Sequence, residues 1–244
     1  CDFVARYQVS DTNSPHFGGI IEAEHLPNII ETDNTQEAIW IWTRWYQLTG
    51  RNDYGENIRR AWIYVLRNPA YREHSGNPVY TWYAVWNCGL GLWTEALYRK
   101  VYQDTTFQFY ADSCRNFYLR NPLSSTTYLN NLVTAQASGM AYNYARERND
   151  QELLDTALAR GIRIKNWIES NARFWLGYQE WAMCGGTAFW GISQTFCQHD
   201  TVAGKNWIRT YVESLPGFYP SGNWNCSHNI WLAYAFYAAA DITK

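Results

Sequence analysis

Acidic side chains crowd one short stretch near the start of the 244-residue chain. The group surrounds one histidine, His25, and consists of Glu22, Glu24, Glu31, Asp33 and Glu37. Hydrolysis of a glycosidic bond needs two carboxyl groups across the bond, one protonated and one ionised. We expect Glu22, Glu24 or Glu37 to supply one of them. Glu180, directly before a predicted helix, could supply the other.

Asp33 and Glu37 also have structural interpretations. They are four residues apart and share one face of a helix if that helix already includes Asp33. Asp33 equally suits a helix cap, with Gln36 three positions later. Glu37 equally suits the first turn, where the helix dipole favours an acidic side chain. The sequence leaves both interpretations open.

A second chemistry, elimination from a uronic acid, would need a base and a group that neutralises the uronate. His25, His228, Arg44 or one of the many tyrosines could serve. Each of the two histidines also fits a structural or solvated role. Hydrolysis and elimination therefore both stay open.

Aromatic residues make up 18% of the chain, including 14 Trp and 19 Tyr. Large rings build hydrophobic cores, and flat amphipathic rings also stack on sugars in a cleft. We interpret the set as including an aromatic-lined groove for a polysaccharide or oligosaccharide. The candidate substrate-binding residues are Trp40, Arg44, Trp82, Trp86, Trp181, Asn223 and Trp224.

Charge and hydropathy argue against two classes of protein. Lys+Arg 20 against Asp+Glu 22 gives a net charge of -2 without a basic run longer than a pair, so nucleic-acid binding is not expected. The longest apolar stretch, residues 230–240, is too short to cross a bilayer.

The chain starts at Cys1 rather than at Met, which suits a processed, exported protein with a lipid anchor on Cys1, or a cut end.

Helical patterns fill the chain after residue 32, and residues 1–32 read as an irregular segment. The amphipathic segments are 53–67, 104–120, 150–170 and 201–214. In the first of them, the apolar positions Ile58, Ala61, Trp62, Val65 and Leu66 follow the spacing of one helix face, which we expect to pack on the core. Segments that are apolar or small nearly all round alternate with the amphipathic segments, at 80–99, 130–145, 181–197 and 228–241. The small residues at 135–141 and 185–188 allow close backbone approach. A helix that is apolar on every side must be buried on every side. Because no stretch alternates with period two for long enough to make a sheet, the sequence predicts an all-α fold with outer and inner helices.

Two of the predicted helices end in the same way. Residues 64–69 read YVLRNP and residues 117–122 read FYLRNP, 53 positions apart. Proline stops a helix because it disfavours the helical conformation in the residue before it. This spacing predicts a helical-hairpin repeat of about 50 residues.

The hairpin rhythm, and the stretch 33–54 in particular, resembles the (α/α) toroid enzymes. That stretch holds DNTQE at 33–37, RWYQLTG at 44–50 and NDY at 52–54, similar to a helix, turn and outer helix of toroid polysaccharide-degrading enzymes. The resemblance implies a single domain over residues 1–244, with about five hairpins of inner apolar and outer amphipathic helices. It also implies a carbohydrate-active enzyme, either a glycoside hydrolase or a polysaccharide lyase.

Six cysteines occur without a CxxC pair. Cys184, Cys226 and His228 resemble the zinc ligands of lanthionine cyclases, another toroid family, but a serine separates Cys226 from His228 here. A disulfide, Cys184–Cys226 or Cys88–Cys114, fits an exported protein better. We therefore expect neither a metal nor a cofactor.

The sequence also fits a function without catalysis. The small number of hairpins and the lack of a sharp catalytic motif are compatible with an exported glycan-binding module or a structural subunit of a surface assembly. A fold alone does not decide between these classes, because one fold hosts many functions. The sequence leaves the oligomeric state open.

Overall fold

The computed structural model describes residues 1–73, 81–122, 128–175 and 179–212, together with positions 233, 236, 237 and 240. Helices dominate, which confirms the main point of the predicted all-α class. The contacts divide the chain into two compact units, residues 1–121 and 122–244. The single toroid domain over residues 1–244 stays a prediction. No helix in the described part of the chain has both the length and the apolar character needed to cross a bilayer.

The first unit begins with a short helix and a β-hairpin and continues with four longer helices. Its elements are α1 (Asp2–Arg6), β1 (Ile20–Ala23), β2 (Leu26–Glu31), α2 (Thr32–Thr49), α3 (Gly55–Arg67), a 3-10 turn (Ala70–Arg72), α4 (Thr81–Tyr102) and α5 (Gln108–Arg120). The helix α2 packs against α3 and α4, and α4 packs against α5.

The second unit, as far as it is described, is helical. Its elements are α6 (Tyr128–Arg148), α7 (Gln151–Trp175), α8 (Gln179–Gln194), α9 (Phe196–His199) and α10 (Thr201–Val212). The helix α6 packs against both α7 and α8, and α9 packs against α10.

The hairpin corrects the prediction that residues 1–32 are irregular and that no sheet forms. The strands β1 and β2 pair antiparallel, with Ile21 opposite Ile30. Both strands are short, so neither shows a period-two pattern that sequence could reveal. Gly18 anchors the hairpin to α3, since its φ is +91° and a Cβ there would lie 1.9 Å from the Arg60 carbonyl oxygen. Gln8 adds a second link, donating to the Asn57 carbonyl at 2.9 Å.

The two predicted kinds of helix are visible in the burial pattern. In α3 the buried residues follow helical spacing, although Leu66, predicted to face the core, is exposed and Tyr64 is buried instead. In α4 every residue from 87 to 92 is buried, as expected for a helix that is apolar on all sides. The predicted inner helix 228–241 differs. Its described positions 233, 236, 237 and 240 are helical and exposed. They are three, one and three residues apart, so they lie on one face of the helix, and that face is open to solvent.

The repeated RNP segments give two helices the same C-terminal structure. The helix α3 ends at Arg67 and α5 ends at Arg120. In each, the next residue is an asparagine whose side-chain amide donates to the carbonyl four residues earlier, at 3.2 Å from Asn68 and 2.8 Å from Asn121. The asparagine and the proline together end the helix, so the repeat that the sequence shows is also a structural repeat.

Close approach of α6 and α8 depends on two glycines. A Cβ on Gly191 would lie 1.9 Å from the Ala135 carbonyl oxygen, and a Cβ on Gly139 would lie 2.9 Å from the Cα of Gly191. The sequence predicted close backbone approach for the small-residue stretch around Gly139, and the structure identifies Gly191 as its partner.

The predicted Cys88–Cys114 disulfide is not formed. Both residues are buried free thiols, on α4 and α5. They interact through a thiol hydrogen bond, and burial raises the pKa of the Cys88 thiol. Of the alternative pair, Cys184 and Cys226, both side chains lie outside the described residues.

Candidate functional site

Three elements of the first unit bring acidic side chains together. Glu31 ends β2, Asp33 lies in the first turn of α2, and Glu73 follows the 3-10 turn that leads towards α4. Tyr83, in the first turn of α4, joins them. We call Glu31, Asp33, Glu73 and Tyr83 the carboxyl cluster. Asp33 and Tyr83 each lie in the first turn of a helix, and Glu31 directly precedes α2.

Hydrogen bonds fix the orientation of the cluster. The Thr32 N–H donates to Glu73 Oε1 at 3.0 Å, and the Asn87 side-chain amide donates to the other oxygen of the same carboxylate. The Tyr83 hydroxyl donates to Glu31 Oε2 at 2.9 Å. Tyr83 also interacts with Asp33 by a side-chain hydrogen bond. The donors in these bonds are neutral groups: a backbone N–H, a side-chain amide and a hydroxyl.

Asp33 does not cap the helix, so that interpretation is wrong. The helix α2 begins one residue earlier, at Thr32, with Glu31 in the cap position and no side-chain cap. The Asp33 Oδ1 instead accepts the Asn34 N–H at 2.8 Å. Its side chain is only 9% exposed.

Burial moves the protonation of this cluster into the neutral range. Burial raises the pKa of Asp33 to about 7, and the negative charges of Glu73 and Glu31 add to the rise. Hydrogen bonds with Tyr83 and the Asn34 N–H act in the opposite direction and lower this pKa. Burial likewise raises the pKa of Glu73 to about 7, with help from the charge of Glu31. Because neighbouring carboxylates repel, the protons of Asp33 and Glu73 are coupled. Near pH 7 the pair can hold one proton and one negative charge.

A buried glutamine, Gln36, is linked to the cluster through Asn87. The Gln36 amide donates to Asn87 Oδ1 at 2.9 Å, and its carbonyl oxygen accepts the Tyr110 hydroxyl at 2.9 Å. These bonds join α2, α4 and α5. Since Asn87 also donates to Glu73, the orientation of the Glu73 carboxylate depends on this buried network.

No protein-family model, curated protein or solved structure matches this chain. Its function therefore has to be inferred from the chain's own geometry.

A row of half-buried aromatic rings leads away from the cluster along α4. The ring of Tyr83 lies 5.7 Å from that of Trp82 and 5.5 Å from that of Trp86. Further along, Trp93 stacks on Trp40 of α2 at 4.4 Å. From Tyr83 to Trp93 the row spans about 15 Å of helix, at 1.5 Å per residue. Three predicted substrate-binding residues, Trp40, Trp82 and Trp86, thus lie on this row.

A second group of carboxylates lines a cavity between α1, the hairpin and α2. We call it the α1–α2 cavity; it has a volume of about 180 Å³. Its lining consists of Phe3, Val4, Tyr7, Ile20, Ile21, Glu22, Ala23, Glu24, Asn34, Glu37, Ala38 and Ile41. Three residues predicted as catalytic from the sequence, Glu22, Glu24 and Glu37, therefore share one cavity.

The cavity carboxylates differ in their partners. Glu22 accepts the side-chain amide of Asn34, and Glu24 accepts the Tyr7 hydroxyl. Within the described residues no group donates to the Glu37 carboxylate, which is open to the cavity. The surrounding protein raises the pKa of Glu37 to about 7, and the charges of Asp33 and Glu22 raise it further.

The remaining predicted site residues lie elsewhere. His25 is exposed in the hairpin turn, and the exposed Arg44 donates to Gln47 one turn along α2. Glu180 and Trp181 belong to α8 in the second unit, but their side chains lie outside the described residues. The other three lie wholly outside them: Asn223, Trp224 and His228. Among the described residues, no group of three or more His, Cys, Asp or Glu could hold a metal ion.

Two residues of the carboxyl cluster were missed from the sequence, Glu73 and Tyr83. The available signal was the position of Tyr83, which lies in the first turn of α4, a helix that is apolar on all sides. Glu73 lies eight residues before that helix and gave no such signal. The separation of Glu73 from Asp33 along the chain hid the pairing.

Proposed function

We propose that the protein is a glycoside hydrolase that binds a polysaccharide or oligosaccharide and uses the carboxyl cluster for acid–base catalysis. The observation that carries this proposal is the pair Asp33 and Glu73, whose pKa values are both raised to about 7 in a partly open cluster. Pairs of carboxyl groups with displaced pKa values are typical of sites that transfer protons.

In this mechanism one member of the pair holds a proton near pH 7 and donates it to the glycosidic oxygen. The ionised partner stabilises the positive charge that develops on the sugar or activates a water molecule. Tyr83 and Asn87 act as positioning residues, because they hold carboxylate oxygens of Glu31 and Glu73. The aromatic row, with Trp82 and Trp86 closest, supplies flat surfaces for sugar rings.

Hydrolysis fits this cluster better than elimination from a uronic acid. Among the described residues, the charged groups that shift the pKa of Asp33 are the carboxylates Glu73 and Glu31. A uronate would be repelled by them, whereas a lyase has to neutralise it. We therefore place neutral or cationic glycans ahead of acidic ones as substrates.

The finer architectural and cellular predictions belong to this proposal. The alternation of amphipathic and fully buried helices supports an (α/α) toroid of about five hairpins as its scaffold. Export, and a lipid anchor on Cys1, stay predictions from the sequence.

The test is a panel of neutral, amino-sugar and uronate polysaccharides incubated with the full chain at pH 6.5. Reducing ends are followed together with the ultraviolet absorbance of unsaturated uronates. We expect reducing ends without that absorbance. Asp33→Asn and Glu73→Gln should each lower turnover by at least about 100-fold, the usual contribution of a general acid or base. Asp112→Asn, an exposed change of the same type on α5, should leave turnover unchanged.

Other outcomes would contradict the hydrolase. Absorbance appearing with reducing ends would mean a lyase. Glycan retention without turnover would mean the non-catalytic binding protein. Full activity in both carboxyl variants would remove the carboxyl cluster from the mechanism.

A further inference from the structure

We propose that the α1–α2 cavity binds a protonated aliphatic amine, with the alkyl chain against the apolar wall and the ammonium group beside Glu37. This site is distinct from the carboxyl cluster, and the inference does not depend on the proposed hydrolase activity.

The size and wall of the cavity suit a short alkyl chain. Its volume is about 180 Å³. Cavities of roughly 150 Å³ lined by aliphatic side chains hold a molecule as large as benzene. Two of the apolar lining residues keep much of their surface accessible, 57% for Phe3 and 37% for Ile41. A bound alkyl chain would remove this apolar surface from water, which favours binding.

The charge of the lining selects a cation. The lining contains three carboxylates and, within the described residues, no lysine, arginine or histidine. The donors to Glu22 and Glu24 are the neutral groups of Asn34 and Tyr7, so neither donor adds a positive charge to the lining. An ammonium group carries three donors and a positive charge, which matches an acceptor-only carboxylate such as Glu37.

Arg6, on α1, is not the partner of Glu37. Its guanidinium carbon lies 5.8 Å from the centre of the Phe3 ring, its charge acts on Tyr7, and it does not line the cavity. Glu37 faces negative groups instead, because Asp33 and Glu22 are the charges that act on it. A bare metal ion fits less well than an organic cation, because among the described residues no three His, Cys, Asp or Glu side chains are placed to hold one.

Amine binding should release a proton. The pKa of Glu37 is raised to about 7, so below pH 7 its carboxyl group is largely protonated. An ammonium beside it favours the ionised form and lowers that pKa. Binding of the amine near pH 7 therefore displaces the Glu37 proton, and affinity rises from pH 6 to pH 8.

The first experiment uses calorimetric titration of the full chain with hexylamine, hexanol and hexanoate, which share one chain length. At pH 8 we expect hexylamine to bind at least tenfold more tightly than hexanol, and hexanoate to bind more weakly still. Repeating the titration in buffers of different ionisation enthalpy should reveal proton release near pH 7. Equal binding of hexanol, or no heat from hexylamine up to millimolar concentration, would overturn the proposal.

The second experiment tests whether Glu37 is the residue that binds the ammonium group. Glu37→Gln should weaken hexylamine at least tenfold and abolish the proton release. The matched control is Glu169→Gln on α7, whose carboxylate pairs with Lys165 at the surface; it should leave both unchanged. Unchanged hexylamine binding in a folded Glu37→Gln variant, checked by circular dichroism, would overturn the assignment.

A third titration separates two sources of the ammonium. Nα-acetyl-lysine N-methylamide carries an ammonium on the four methylenes of lysine, a shorter aminoalkyl chain, on a peptide-like backbone. If it binds as tightly as hexylamine, the site accepts a lysine side chain of a protein. If only hexylamine binds, the site takes a free amine. Because neither measurement uses a glycan, failure here would leave the hydrolase proposal standing, and the reverse also holds.

Discussion

Asp33 and Glu37 lie one turn apart on α2, and their pKa values are both raised to about 7, yet their surroundings differ. Asp33 is buried and hydrogen-bonded within a network that includes Tyr83 and the Asn34 backbone. Glu37 opens into a cavity and has no hydrogen-bond donor within the described residues. A raised pKa alone therefore does not define a role. The hydrogen-bond partners and the access to solvent separate a group that can transfer a proton from one that can bind a cation.

The largest expected effect concerns the pH dependence of turnover. A general acid must be protonated, so deprotonation of the Asp33–Glu73 pair near pH 7 removes activity. We expect kcat/KM to fall by about tenfold per pH unit above that value, or roughly 100-fold by pH 9. The measurement is the release of reducing ends between pH 5 and pH 9. A rate that keeps rising through pH 8 would assign the proton transfer to another group.

The second effect concerns the free energy of unfolding. The direction in which it changes with pH follows from the raised pKa of Asp33. The pKa of Asp33 rises from 3.8 to about 7, so between these values the folded state binds more protons than the unfolded state. The free energy of unfolding therefore falls as pH rises from about 4 to about 7 and stays lower above that. Asp33→Asn cannot ionise and should be more stable than wild type at pH 8, by about 1–3 kcal/mol.

Urea unfolding at pH 5 and pH 8 measures this effect. At pH 5 the variant should show no gain, because the wild-type carboxyl group is then protonated too. Asp112→Asn is the matched control and should show no pH-dependent difference. A variant that is destabilised equally at both pH values would mean that lost hydrogen bonds outweigh the removal of the buried charge.

The smallest effect sharpens the comparison between the two carboxyl groups. Glu37→Gln should also gain stability at pH 8, but by less than Asp33→Asn, because the pKa of Glu37 rises less from its ordinary value and water screens a side chain that is open to the cavity. The same urea titrations measure it. If Glu37→Gln gained as much as Asp33→Asn, the two groups would be equally desolvated and their different access to solvent would have no energetic consequence.

Sequence patterns predicted the features that are local in the chain. The helical spacing of Ile58, Ala61, Trp62 and Val65 identified the buried face of α3, because that face is set by residues three and four apart. The RNP segments marked two helix ends correctly. The short hairpin strands gave no signal, because four and six residues are too few for a clear alternation.

Features that depend on distant residues were harder to predict. The acidic stretch holding Glu22, Glu24 and Glu37 was identified as a group, and the structure places all three on one cavity, although their catalytic role stays a prediction. Glu73 and Tyr83 were missed, because the packing of α4 on α2 brings Tyr83 to Asp33 and the packing of the 3-10 turn on α4 brings Glu73 there. No pattern within a helix encodes that contact.

The shared ends of α3 and α5 have a consequence for how such a chain can change. Asn68 and Asn121 each bond to a carbonyl of their own helix. These side-chain bonds need no contact from the rest of the molecule, so each segment can end its helix independently of the surrounding fold. A duplicated or transplanted copy of either segment would bring with it the residues that end its helix. A chain of this kind can acquire another helix by copying a segment, before any tertiary contact has evolved to define where that helix ends.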